Sequence, residues 1–110
     1  MKINPTERER GRHECESDIQ RGQLKFYWQT RGSWGEYLTT QMSERFNVHV
    51  IHTSDMTTEA QIEFESGYNN QAKEHINSVF GDESVQTLFA DVEAYRERQY
   101  HAHFGSTGQS

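Results

Sequence analysis

The sequence predicts a small single α+β domain, ordered strand, helix, strand, helix, helix, with a two-strand parallel core and flexible termini. Three observations predict it. Residues 24–29 alternate apolar and polar side chains, the period of a half-buried strand. Residues 34–46, 60–80 and 85–95 space their apolar side chains as amphipathic helices do. The stretch between the first strand and a second one at 48–52 is too long for a hairpin, so the two strands run parallel through a helical crossover.

Residues 1–12 read as a tail and 13–22 as a short helix, with Cys15 and Ile19 on one side and Gly22 as its stop. The domain proper is predicted over residues 23–104. Leu24, Phe26 and Trp28 alternate with Lys25, Tyr27 and Gln29 in the first strand. Ser33 and Glu36 have capping-box spacing, and the helix they open carries Trp34, Tyr37, Leu38, Met42 and Phe46 to a left-handed stop at Asn47. Val48, His49, Val50 and Ile51 form the second strand, rich in β-branched residues.

The next helix starts at Thr57 or Thr58 and sets Ala60, Phe64, Tyr68, Ala72, Ile76 and Phe80 on one stripe before Gly81. Gly67 interrupts it at a cost of about 1 kcal/mol relative to alanine. A helix keeps such a glycine where another backbone comes close, here the domain's own first strand or helix, or else a partner. The last helix starts at Asp82 or Ser84 with Val85, Leu88, Phe89, Val92 and Tyr95 inward. It fades past Tyr100 into a flexible tail over 105–110. Two parallel strands alone leave two open edges. An N-terminal segment, the last helix or a second copy of the chain could cover them, and the last would make a homodimer.

At 110 residues with 32% apolar side chains, the chain is poor in core formers, and its 12% aromatics compensate. It shows no apolar run near the ~20 residues that span a bilayer and no secretory h-region. A single cysteine excludes an internal disulfide. These features point to a cytoplasmic protein away from membranes. The net charge of −6 is uneven: residues 54–81 carry −4 and 82–110 carry −3. No basic face of the kind nucleic acid requires is evident. Arg8, Arg10 and Arg12 alternate with Glu7 and Glu9 and read as solvated charge, so nucleic-acid binding ranks last.

Two surfaces are candidates for function. Parallel strands put their carboxyl ends on one edge, where open α/β sheets bind ligands. There Arg31, Ser33, His52, Ser54 and Asp55 surround two helix starts and could hold a small anion or phosphate ester. The blander reading of the same residues is two capped helices. No glycine-rich phosphate loop or triad signature accompanies them, so catalysis is not predicted. The second surface is helical. Glu74, Asp91, Glu93 and Glu97 could form an acidic face for a basic protein, with Asn69 and Asn70 offering uncharged hydrogen-bonding contacts.

No metal or cofactor is expected. His49 and His52 point to opposite sides of a strand, His101 and His103 lie where the last helix fades, and neither pair has further ligands in the sequence. Cys15, between Glu14 and Glu16, reads as an inert thiol. The expected function is a non-catalytic protein-binding module acting through the acidic helical face, a small regulator, inhibitor or adaptor. Short polar chains of this type are common among accessory proteins of bacteria and their phages. The alternative is the anion site at the strand edge.

Overall fold

The computed structural model describes residues 6–29, 33–53 and 58–108. Its elements run α1 (Glu7–Arg21), β1 (Lys25–Trp28), α2 (Ser33–Phe46), β2 (His49–His52), α3 (Glu59–Phe80) and α4 (Ser84–Gly108). The class is α+β but mostly helical, with one helix more at the front than the sequence predicts in full. β1 and β2 pair in parallel, Lys25 opposite His49 and Trp28 opposite His52, as the crossover requires. Asn47 ends α2 in the left-handed region at φ 57°. Thr58 caps α3 by accepting the Gln61 N–H at 3.1 Å, and Gly81 closes it.

The front of the chain corrects the tail reading. Helix α1 starts at Glu7, not near 13, and Thr6 caps it by accepting the Glu9 N–H at 3.1 Å. α1 lies directly on α3, and two glycines make that possible. A Cβ on Gly11 would stand 1.9 Å from the Phe64 carbonyl oxygen, and one on Gly67 would stand 1.9 Å from that of Arg8. The neighbouring backbone that Gly67 admits is therefore the domain's own first helix. At the other end, α4 continues to Gly108, past Tyr100 and into the predicted tail. Residues 1–5, 109 and 110 lie outside the described residues.

The core forms between the sheet and the helices. Leu24 just before β1 and Phe26 within it, Val48 and Val50 at β2, Leu38 and Met42 from α2, and Val85, Leu88 and Val92 from α4 are buried together. The Phe89 ring stacks on Trp28 at 5.5 Å and leans on Phe26 at 5.9 Å. Phe89 itself is only partly buried, and Leu88 beside it is fully so. Tyr27 packs edge-on against Tyr68 of α3 at 5.1 Å. The predicted α3 stripe also loses its first and last members, Ala60 and Phe80, to solvent. Phe80 is 50% exposed and Val79 57%.

At the edge of β1 stands an element that was not among the candidates named above. α3 closes it with side chains. The Tyr27 N–H donates to Asn69 Oδ1 and Asn69 Nδ2 donates to the Tyr27 carbonyl, both at 2.9 Å. One residue pair back, the Lys25 N–H donates to the Tyr68 hydroxyl at 3.0 Å. An amide side chain thus supplies the donor and acceptor that a neighbouring strand would supply.

Candidate functional site

One cluster of ionisable groups in the interior is held by mutual contacts. Asp18 of α1 is 1% exposed. Its carboxylate accepts from the Tyr68 hydroxyl at 2.6 Å, pairs with Lys25 Nζ at 3.3 Å and also pairs with Arg21. Burial alone would raise its pKa. The hydrogen bonds from Tyr68, Arg21 and Lys25 outweigh that and hold it below the ordinary carboxylate value. Burial, then the bond to Asp18, pushes the Tyr68 phenol up beyond its usual range. Cys15, fully buried one turn earlier, is pushed up to about 12, first by burial and then by Asp18 and Glu16. A thiol of this kind is not a nucleophile at neutral pH. The network joins α1, β1 and α3.

At the carboxyl edge of the sheet, His52 ends β2 with its ring exposed, and Ser33 opens α2. Arg31, Ser54 and Asp55 lie outside the described residues. His52 Nε2 is 3.0 Å from Thr39 Oγ1. The Thr39 hydroxyl donates to the Gly35 carbonyl at 2.9 Å, so its oxygen is left to accept from the imidazole N–H. Next to His52 is a group that sequence reasoning missed. The Thr53 hydroxyl oxygen is buried without a hydrogen-bond partner, while its N–H extends the ladder to the Trp28 carbonyl at 2.9 Å. No pattern in the sequence distinguishes Thr53 from an ordinary turn threonine.

The predicted partner-binding residues fall in different places. Asn69 is bonded to β1, as above. Asn70 and Glu74 line a cavity of about 250 Å³ between α1 and α3, together with Arg8, Arg12 and Gln71. On α4, Asp91 pairs with Arg45 of α2 at 2.8 Å. Glu93 pairs with Arg96 at 3.0 Å where both side chains are more than half exposed, and Glu97 is exposed.

Among the described residues, no three His, Cys, Asp or Glu side chains gather as a metal site would need, and no helix is long and apolar enough to cross a membrane. His49 and His52 are both exposed, and His101 and His103 lie in the last turns of α4. No family model, curated protein or solved structure matches the chain, so its own fold, charge and surface bear on its function.

Proposed function

We propose that the chain is a non-catalytic protein-binding module, a small cytoplasmic regulator, inhibitor or adaptor, that meets a basic partner through the outer side of α4. The observation that carries this is the division of labour on that helix. Val85, Leu88 and Val92 are buried, while Glu93 and Glu97 face solvent. An exposed pair such as Glu93–Arg96 contributes little to stability, so these carboxylates are free to act in association. Self-association through the sheet would have to use β2, because α3 occupies the edge of β1.

Complementary charge speeds association and sets salt dependence more than it sets affinity. The double substitution E93K/E97K should therefore slow binding to a co-purified basic partner roughly tenfold at low salt and flatten its salt dependence, with the fold intact. Association kinetics at two salt concentrations check this. Unchanged kinetics would remove this side of α4 from the interface.

A second reading is favoured by Thr53, whose buried, unpartnered hydroxyl sits at the edge where parallel sheets take ligands. An anion site there would raise the thermal midpoint with inorganic phosphate by mass action, and Arg31→Ala would abolish the shift. A flat response at millimolar phosphate would dispose of this reading.

A further inference from the structure

Three helices end at the same corner of the molecule. Gly22, which caps α1, Phe46 and Asn47 at the end of α2, and Phe80 at the end of α3 line one cavity of about 180 Å³ with Ile19 and Ile76. Phe46 and Phe80 stand 5.0 Å apart with their rings inclined at 52°. Phe46 also borders a second, open cleft of about 520 Å³ that includes Asp82, Glu83 and Thr87. Val79 and Phe80, at 57% and 50% exposure, are half-exposed apolar neighbours on this rim.

Two carboxylates, Asp82 and Glu83, stand at the corner, where His75 and Arg45 also line the two openings. Each helix C-terminus carries roughly half a negative charge. Asp82 and Glu83 are exposed and make no ion pair among the described residues; the start of α4 also favours them. The two arginines at these helix ends are engaged, Arg21 with Asp18 and Arg45 with Asp91. An exposed apolar rim at Val79 and Phe80, with carboxylates next to it at Asp82 and Glu83, suits a cation on an alkyl stem.

We infer that this corner docks a basic amphipathic protein segment, with a lysine or arginine stem lying along the exposed Val79 and Phe80 and its charge toward Asp82 and Glu83. The inference rests on the protein-binding reading and moves the centre of the interface from α4 to the α3–α4 corner. A second copy of this chain is the poorer occupant, because each copy carries −6 and would bring the same acidic rim to the contact.

The test is an amide chemical-shift titration of the isotope-labelled chain with an amphipathic Leu/Lys helical peptide, and with the same peptide carrying Glu for Lys. The Leu/Lys peptide should shift Gly22, Phe46, Asn47 and residues 79–83 saturably, and the Glu peptide should not. V79S/F80S should weaken binding roughly tenfold or more. D82K/E83K, which leaves the rings in place, should weaken it as well. No shift at millimolar Leu/Lys peptide overturns the inference and leaves the protein-binding reading to the co-purified partner. Shifts on α4 around Glu93 and Glu97, unaffected by V79S/F80S, also overturn it while supporting that reading. A dimer in sedimentation equilibrium that V79S/F80S dissolves would give the corner to a second copy and overturn it too.

Discussion

Gly67→Ala is expected to lower the thermal midpoint by roughly 8 °C or more. Helix propensity alone gives the opposite sign, because alanine in place of a mid-helix glycine gains about 1 kcal/mol. Packing decides. The new Cβ would stand 1.9 Å from the Arg8 carbonyl oxygen, and the other close atoms are also Arg8 backbone. No side chain can rotate away, so α1 must move off α3 or α3 must bend. Overpacking costs typically ~1–3 kcal/mol and occasionally more, and a backbone clash belongs at the upper end. At about 4–8 °C per kcal/mol for a domain near this size, the fall is well outside error. Gly11→Ala meets the Phe64 carbonyl oxygen in the same way and should behave alike. Thermal denaturation of the two variants checks this, and a midpoint at or above wild type would show that α1 does not pack as described.

Tyr68→Phe should cost on the order of 2–3 kcal/mol at neutral pH, since a hydrogen bond to a charged group contributes ~1.5–3 kcal/mol. The hydroxyl donates to buried Asp18 and accepts from the Lys25 N–H, so its loss leaves the buried carboxylate one donor short and the part-buried N–H without this acceptor. The effect depends on pH with a fixed sign. The folded-state pKa of Asp18 is depressed, so its contribution is fully present above the unfolded value of about 3.9 and is lost as pH falls through the lower folded value. Removing the Tyr68 hydroxyl reduces that depression. The gap between wild type and variant should therefore be widest near pH 7 and shrink below about pH 4. Urea unfolding at a series of pH values reads it, and a gap independent of pH would mean that the bond to Asp18 is not what Tyr68 contributes.

The parts of the fold legible in the sequence are those where apolar side chains mark a face. The alternation at 24–29, the stop at Asn47 and the Val85–Leu88–Val92 stripe all correspond to observed elements. The second half of helix α1 was legible from Cys15, Ile19 and the stop at Gly22, but its first half, from Glu7 to Arg12, was not, because Gly11 is what it buries and that leaves no apolar stripe. Two signals for it were present all the same. Thr6 and Glu9 have capping-box spacing, and Gly11 with Cys15 sets small residues one turn apart where a second helix carries Gly67.

The exposure of Val79 and Phe80 was hidden for the opposite reason. They continue a helical pattern beyond the point where a neighbour covers it. The polar run at 69–70 was read as surface, and no sequence pattern shows that the partner of Asn69 is the backbone of Tyr27. At the strand edge, Thr53 matters through burial and a missing partner, and both are properties of the folded chain.

The central claim, that this domain acts by binding a protein through its acidic helical side, is tested most directly by amide hydrogen exchange on the complex with a co-purified partner, compared with the free chain. The expected result is new protection on α4 and at the α3–α4 corner around residues 79–83, with the strand-edge segments at 29–33 and 52–58 exchanging as before. Protection confined to those strand-edge segments, with α4 and the corner unchanged, would contradict it.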